Sequence, residues 1–420
     1  MGVAVIGMLD EREAALRLIS ERIESRGHRP ILIDISIGTG AVEPTLKPQI
    51  TCEEVAKAGG ITRDQIDEIL LKDRNRVTSA MADGLGCKLL ELHGKGELKG
   101  VIAVGGMTGT FISLSAMKPL PFGLPKLMIS SVAAMPAYAK KLSEFFGVRD
   151  ITVMHSVVDT VGLNPLVKNL MLNGAGAICG MVEEYGQAKR QEKPSIAITE
   201  FGFCDKGAHY VRELLEGEYD VISFHATGLG EKAAVDLVGQ GLFEAFIDLV
   251  PAGFSEYLLG GNRAAGPDRL DAGCKVRKPY ILSPCGFDMI SCGPIQRKDG
   301  GDELWVSRKL AERKLLVQDE MRVQARTSPE EAREIARAVA ERLNRHEDKR
   351  RVKFVIPLKG FSSLSVEEGA LYDPGSDKAF IEELKGTLDR EIQVIEVDSH
   401  INTREFASAV VDALKQAMEM

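Results

Sequence analysis

One pattern recurs along the whole 420-residue chain: a short apolar run, a glycine or polar turn, and then an amphipathic helical stretch. The first copy comprises an apolar run at residues 3–8, a helical stretch at residues 11–26 with its apolar side chains on one face, and a second run at residues 30–35. Strands that are buried on both faces of a sheet read as unbroken apolar runs, and parallel strands need a crossover connection. The sequence therefore predicts an α/β protein with mainly parallel sheets.

The pattern extends through both halves of the chain. Further apolar runs of this kind lie at residues 100–104, 126–129, 151–154, 195–199, 220–224, 279–282, 352–356 and 391–397. The composition becomes strongly polar at residues 183–193, and Pro194 then opens a new strand. We therefore predict two Rossmann-like domains, residues 1–188 and 189–420, with a ligand cleft between them. The longest helical stretch is predicted at residues 62–93.

Composition excludes several classes of protein. A net charge of -8 argues against a general nucleic-acid surface. No apolar run approaches the roughly 18 residues that a membrane span needs, and the N-terminus lacks the basic region of a signal peptide. The seven cysteines are scattered without a CxxC pair, which favours a reduced cytoplasmic protein. The seven histidines are too dispersed to identify a metal site by spacing.

The first glycine-rich turn that could hold a phosphate follows the run at residues 100–104. It contains Gly105, Gly106, Thr108, Gly109 and Thr110 and leads into a helical stretch. Glycines allow a close approach of the backbone, and the free N–H groups at a helix start favour an anion. The turn is neither a Walker A motif nor a GxGxxG fingerprint, so a purely structural strand-to-helix turn is an equally good interpretation.

The second turn has the same arrangement. Thr227, Gly228 and Gly230 follow a strand that ends near His225, which predicts a second anion site with a candidate acid or base beside it. A structural histidine is the alternative. Glu231 suits the start of a helix but would repel a phosphate close by.

The third turn places Lys359, Gly360 and Ser362 directly after a strand, where the lysine could neutralise a phosphate. A surface lysine in an ordinary turn is the alternative. Asp288 is a candidate for proton transfer or for binding Mg²⁺. The first turn of the chain, residues 7–10, lacks the fingerprint glycines, which argues against a standard NAD site.

The whole chain resembles one family, that of the N-terminal domain of the plant tobamovirus-resistance protein and its bacterial and fungal relatives. The segments that carry the resemblance are GLPKLMISS (123–131), HSVVDTVGLN (155–164), FHATGLG (224–230), AAGPDRLDA (264–272), IPLKGFSSL (356–364) and HIN (400–402). The resemblance implies a two-domain α/β protein that binds ATP and is usually a homodimer. Mg²⁺ is a separate cofactor expectation, because it commonly accompanies bound ATP. It implies no particular reaction.

The chain departs from the family pattern at several loops. Residues 7–13 read GMLDERE where the family usually has GTLDTKG, and Glu231 replaces a usual glycine. Residues 130–136 and 318–320 also differ from the usual family segments. Several of these changes remove groups that could hold a phosphate.

Three functional hypotheses follow. The first is a protein that binds ATP or another phosphometabolite, with or without enzyme activity, through the three turns. The second is an enzyme that acts on a small carboxylate or sugar-acid metabolite without a nucleotide. The third is a regulatory or interaction module whose ligand site has decayed.

Overall fold

The computed structural model describes residues 1–187, 193–271, 273 and 277–420. The chain divides into two compact units, Met1–Arg190 and Gln191–Met420. Both units are built on parallel sheets flanked by helices, so the predicted α/β class with mainly parallel, Rossmann-like sheets is confirmed.

The N-terminal unit contains a five-stranded parallel sheet with strand order β2-β1-β3-β4-β5. Its strands are β1 (Gly2–Gly7), β2 (Arg29–Asp34), β3 (Gly100–Gly105), β4 (Lys126–Ser130) and β5 (Thr152–His155). Its helices are α1 (Leu9–Ser25), α2 (Cys52–Ala58), α3 (Arg63–Lys72), α4 (Arg74–Gly94), α5 (Met107–Met117), α6 (Ala139–Phe146) and α7 (Pro165–Glu184). Helices α1 and α7 pack in the core on one face of the sheet, and α2, α4 and α5 in the core on the other.

The helix predicted at residues 62–93 is two helices, and the prediction of a single one is wrong. Asp73, with φ -152° and ψ 86°, interrupts the helical backbone between α3 and α4. Its side chain accepts a hydrogen bond from Arg76 N at 3.1 Å and so caps the second helix. An aspartate cap of this kind interrupts the helix without disturbing the apolar spacing, which runs on across the break.

The C-terminal unit contains a six-stranded parallel sheet with strand order β14-β13-β9-β8-β6-β7 and a small antiparallel sheet with order β10-β12-β11. Its strands are β6 (Ser195–Glu200), β7 (Asp220–His225), β8 (Ala245–Asp248), β9 (Tyr280–Leu282), β10 (Met289–Ser291), β11 (Leu315–Val317), β12 (Val323–Arg326), β13 (Val352–Pro357) and β14 (Gln393–Val397). Its helices are α8 (Asp205–Leu215), α9 (Leu229–Gly239), α10 (Ala252–Leu259), α11 (Glu303–Ser307), α12 (Pro329–Leu343), α13 (Pro374–Thr387) and α14 (Arg404–Met418). Helices α8 and α14 cover one face, and α9, α12 and α13 cover the other.

The strand order in each large sheet locates the crevice where a ligand is expected. In the N-terminal unit the connection from β1 leads outward to β2 and the connection from its neighbour β3 leads the other way to β4. In the C-terminal unit the connections from the neighbours β6 and β8 diverge in the same manner, to β7 and to β9. Ligands of open α/β sheets bind at the carboxyl ends of the strands beside such a switch point. Within the described part of the chain, no helix combines the length and the apolar character that crossing a membrane requires.

Candidate functional site

The turn between β3 and α5 presents an uncapped helix start. Gly106 is the N-cap residue of α5, and within this described helix no side chain caps it and no acidic residue lies in its first turn. A Cβ atom at Gly105 would lie 2.8 Å from Thr110 N, so the backbone can fold this tightly only with glycine at position 105. The first N–H groups of a helix lack intrahelical partners and carry the positive end of the dipole. This turn therefore offers the electrostatics of an anion site.

Two arginines from other helices flank the turn. The buried Arg12 of α1 approaches Gly106 so closely that a Cβ added there would lie 3.0 Å from Arg12 Nη2. Arg74, the first residue of α4, donates from Nη2 to Thr108 Oγ1 at 3.1 Å. Sequence reasoning missed both arginines, because neither is near the turn along the chain.

Arg12 is held in place by the loop that follows β5. Its Nε donates to Thr160 Oγ1 at 2.7 Å, its Nη2 lies 3.2 Å from Asp159 Oδ1, and its Nη1 contacts Glu11. The two carboxylates are partly or largely exposed to solvent, whereas the guanidinium is 4% exposed. Arg12 is therefore a fixed cation at the edge of the turn.

The remaining predicted residues of this turn differ in their burial and in their hydrogen-bond partners. Thr110 is fully buried, and its Oγ1 lies 2.8 Å from Ser130 Oγ at the end of β4, so its hydroxyl fastens the turn to the sheet. Gly109 is buried in the first turn of α5. Thr108 is partly exposed and bonded to Arg74. Thr108 is thus the threonine of the pair whose hydroxyl lies at the arginine-flanked surface.

The neighbouring turn between β1 and α1 has an internal anion at its helix start. Asp34 Oδ1, at the end of β2, accepts hydrogen bonds from Leu9 N at 3.1 Å and from Ser36 N at 2.9 Å. Ser36 Oγ donates to the same oxygen. A carboxylate of the protein therefore occupies the position that a phosphate would take at this helix.

The second predicted turn is also filled from within. Glu231 is fully buried, and its carboxylate accepts from Gly228 N at 3.2 Å, from Gly253 N at 2.8 Å and from Arg269 Nε at 2.8 Å. Burial raises the pKa of Glu231, whereas the Arg269 charge opposes that rise. Arg269 in turn forms a two-pronged pair with Asp248, at 2.8 and 2.7 Å.

The residues of this turn that were predicted to contact a ligand form contacts within the protein. The N–H of Gly228 is engaged by Glu231. A Cβ at Gly230 would lie 2.0 Å from His225 O, so the close packing of the turn requires glycine there. Thr227 is exposed and donates its N–H to His225 O at 2.9 Å.

The two candidate catalytic residues lie at different places in the sheet. His225 ends β7, the edge strand, and is exposed. Asp288 follows β9, which lies three positions away in the strand order. At about 4.8 Å per strand, β7 and β9 are about 14 Å apart. The side-chain hydrogen bonds of Asp288 go to Ser362 and Gly286 and not to His225.

Asp288 is instead joined to the third predicted turn. Its Oδ2 accepts from Ser362 Oγ at 2.5 Å and its Oδ1 from Gly286 N at 3.1 Å. Both side chains are buried. Arg326 Nη1 donates to the Asp288 carbonyl at 3.1 Å. Sequence reasoning assigned no role to Arg326 beside these groups, because it arrives from the small antiparallel sheet.

Lys359 and Gly360 line a pocket of about 880 Å³ at the carboxyl ends of β13 and β14. Lys359 is exposed, and its Nζ lies 3.0 Å from Asp398 Oδ2. Gly360 has φ 133°, a conformation that favours glycine. The pocket is also lined by Asp377 and His400. Throughout the described residues, no group of three or more His, Cys, Asp or Glu side chains is placed to hold a metal ion.

Comparison with family models shows which protein family the chain belongs to. Residues 1–187 match the model described as Uncharacterised protein family (UPF0261) N-terminal domain, and residues 193–418 match its C-terminal domain. The chain belongs to the UPF0261 family. A UPF0261 protein of Clostridium tetani is 33% identical over 99% of both chains, and UPF0261 protein RA0729 of Rhizobium meliloti is 31% identical over 98% of both.

The plant relative predicted from the sequence is confirmed for this UPF0261 chain. The ToMV resistance protein Tm-1(GCR237) of Solanum lycopersicum is 30% identical over 81% of this chain and 44% of the plant protein. Two solved structures are remote: a Streptomyces glycosyltransferase complexed with thymidine diphosphate, at 13% identity over 74% of this chain and 85% of its own, and an S. aureus MnaA–UDP structure, at 11% over 72% and 81%. Both have a TM-score of 0.21, too low to carry an argument about function.

Proposed function

We propose that this UPF0261 protein binds a small phosphorylated ligand, a nucleotide or another phosphometabolite, at the turn between β3 and α5. The observation that carries the proposal is the uncapped start of α5 with Arg12 at Gly106 and Arg74 at Thr108. Guanidinium groups match the geometry of phosphate oxygens, and the amides of the helix start add donors from a third side. Together they would offer a bound anion two guanidinium groups and the backbone donors of the turn.

The contrast with the other helix starts supports this choice. The α1 start already holds Asp34, and the α9 start already holds Glu231. A phosphate at either turn would have to displace a buried carboxylate from its hydrogen bonds, which is unfavourable. We therefore assign the ligand to the first predicted turn and not to the second.

ATP with Mg²⁺ is the specific ligand that we propose within this class. Mg²⁺ is commonly held by phosphate oxygens and water with only one or two protein carboxylates. Such an ion would arrive with the nucleotide, and Glu11 or Asp159 beside Arg12 could contact its water shell. No step of a reaction follows from these contacts, so the proposal is one of binding.

The test is a calorimetric titration of the protein with magnesium-ATP and, separately, with inorganic phosphate. Binding at micromolar strength corresponds to about -8 kcal/mol. Arg74→Ala should weaken binding at least tenfold, because a charge-assisted hydrogen bond contributes about 1.5–3 kcal/mol. Gly106→Val, which places atoms between the turn and Arg12, should abolish binding while the circular-dichroism spectrum stays unchanged.

Arg76→Ala provides the matched control. Arg76 is exposed on the same helix, two residues after Arg74. The Arg76→Ala protein should therefore bind magnesium-ATP as tightly as the wild type does. Absence of heat and of thermal stabilisation with every phosphorylated probe would contradict the proposal. Such a result would favour the carboxylate or sugar-acid hypothesis, or a module without a small ligand. The homodimer and the cytoplasmic location stay predictions, and light scattering tests the first.

A further inference from the structure

The pocket at the ends of β13 and β14 lies in the C-terminal unit and shares no lining residue with the turn between β3 and α5. Its lining comes mainly from α13 and from the segment that follows β13. Both polar and apolar side chains line it. The lining includes Lys359, Ser365, Tyr372, Asp377, Ile381 and His400. A volume of about 880 Å³ is within the range of small-molecule sites.

Asp377 reaches this pocket from a buried charge network. Its Oδ1 lies 2.5 Å from Arg326 Nη2, and Arg326 also donates to the carbonyls of Asp288 and Asp373. The nearest charges are thus one guanidinium and the carboxylates of Asp288 and Asp373, so negative charge is in excess. Burial is the main cause that raises the pKa of Asp377 to about 6; Asp288 and Asp373 contribute and Arg326 opposes. A buried carboxyl that titrates near neutrality beside a pocket is a common feature of functional sites.

Lys359 is the cation of the pocket that a ligand can recruit. Its partner Asp398 is 80% exposed, and the lysine itself is 59% exposed. Exposed pairs of this kind contribute roughly 0–1 kcal/mol, so a ligand anion can replace Asp398 at little cost. The other two lysines of the wall, Lys378 and Lys385, already pair with Glu382 and Glu396, which line the same pocket.

We propose that this pocket is a second ligand site, where Lys359 pairs with the acidic group of a hydroxylated organic anion and the Asp377 carboxylate accepts a hydrogen bond from one of its hydroxyls. A ligand hydroxyl also matches the His400 side chain in the lining, and the apolar Val366 and Ile381 suit the carbon skeleton of such a ligand. The acidic group is a carboxylate or a phosphate, since an ammonium group attracts either as a point charge.

Protonation of Asp377 should control this site. Above about pH 6 the carboxylate is an acceptor on both oxygens, and below it one oxygen becomes a donor. Asp377 lies beside Arg326 from β12, Asp288 from the segment after β9, and Asp373 at the cap of α13. The other charged or titratable groups of the pocket are Lys359, Glu367, Lys378, Glu382, Lys385, Glu396 and His400. Because several charged groups line this pocket, an Asp377 variant is needed to assign the pH dependence.

The experiment is a calorimetric titration of the full chain with gluconate, glucose 6-phosphate and hexanoate at pH 5 and pH 7.5. We expect gluconate or glucose 6-phosphate to bind at pH 7.5 and about fivefold more weakly at pH 5, where about a tenth of Asp377 is ionised and the neutral form keeps about a tenth of the affinity. Hexanoate, which lacks hydroxyls, should bind at least tenfold more weakly than either at pH 7.5. The tighter-binding compound of the two, gluconate or glucose 6-phosphate, shows whether the site prefers a carboxylate or a phosphate group.

Variants locate the binding. Asp377→Asn should weaken binding about tenfold at pH 7.5 and remove most of the pH dependence. Lys359→Met, at an exposed position, should weaken it at least tenfold without affecting folding. Asp398→Asn, which removes the competing partner, should leave binding unchanged or tighter. Gly106→Val should have no effect on the binding of gluconate, which carries no phosphate, so failure of this site and failure of the proposed phosphate site are distinguishable.

Three results would overturn the inference: no binding of gluconate or glucose 6-phosphate at either pH, hexanoate binding as tightly as they do, or unchanged binding by Lys359→Met. If Asp377→Asn does not fold, as its thermal melt would show, Lys359→Met and Asp398→Asn still decide the outcome.

Discussion

The protonation of Asp377 ties its burial to the stability of the protein. Its pKa rises from 3.8 to about 6 on folding, so between these values the native state binds a proton that the unfolded state has released. Stability from this group is therefore greatest below pH 4 and is lost as the pH rises through 6. Between pH 4.5 and 7.5 the loss amounts to about 2 kcal/mol.

Asp377→Asn should remove this contribution to the pH dependence. The free energy of unfolding of the wild type minus that of the variant should fall by about 2 kcal/mol from pH 4.5 to pH 7.5. Urea unfolding followed by circular dichroism at the two pH values measures the difference. An equal difference at both pH values would show that Asp377 does not titrate in this range.

The turn between β7 and α9 depends on a carboxylate that joins three elements. Glu231 contacts Gly228 at the start of α9, Gly253 near the start of α10, and Arg269. Arg269 keeps its pair with Asp248 when Glu231 is removed, but the buried N–H groups of Gly228 and Gly253 lose their acceptor, and a buried unsatisfied group costs about 1–3 kcal/mol. Glu231→Ala should lose stability by this amount.

The Glu231→Ala variant should also regain stability from a small carboxylate in solution. Formate carries the two oxygens that Gly228, Gly253 and Arg269 bind, so tens of millimolar formate should raise the melting temperature of the variant and leave that of the wild type unchanged. Glu244→Ala, which removes an exposed partner of Lys278, is the control that should lose little stability. Equal effects of formate on all three proteins would contradict the proposed cradle.

The sequence predicted the long central strands because their apolar runs are unbroken, as in β1 and β13. It missed β8, which lies in the middle of the large C-terminal sheet, because the charged Glu244 and Asp248 bound a run of only three apolar residues. It also merged α3 and α4, because the apolar spacing continues across Asp73. Lengths and breaks of elements depend on local caps and on partners from elsewhere in the chain.

Only part of the candidate site could be predicted from the sequence. Glycine turns after strands are local features, and all three were identified. Whether a turn holds an internal carboxylate depends on residues that meet only in the folded chain, as Glu231 meets Gly253 and Arg269. The arginines that favour the first turn, Arg12 and Arg74, likewise come from separate helices.

The two compact units should fold independently of one another. The hydrophobic cores on both faces of the five-stranded sheet consist of residues from the N-terminal unit alone, and those of the six-stranded sheet consist of residues from the C-terminal unit alone. A parallel sheet covered by helices on both faces satisfies the requirement for a stable domain. We therefore predict that residues 1–187 and 193–420, produced as separate proteins, each unfold in one cooperative transition in urea, with the larger m-value for the larger protein.

Independent folding would also separate the two proposed sites. The 1–187 protein should bind magnesium-ATP with the sensitivity to Arg74→Ala of the full chain, because Arg12, Arg74 and the β3–α5 turn all lie within it. The 193–420 protein should bind the hydroxylated anion and not ATP, because Lys359 and Asp377 lie there. A non-cooperative transition in either protein would mean that its core is incomplete without the rest of the chain.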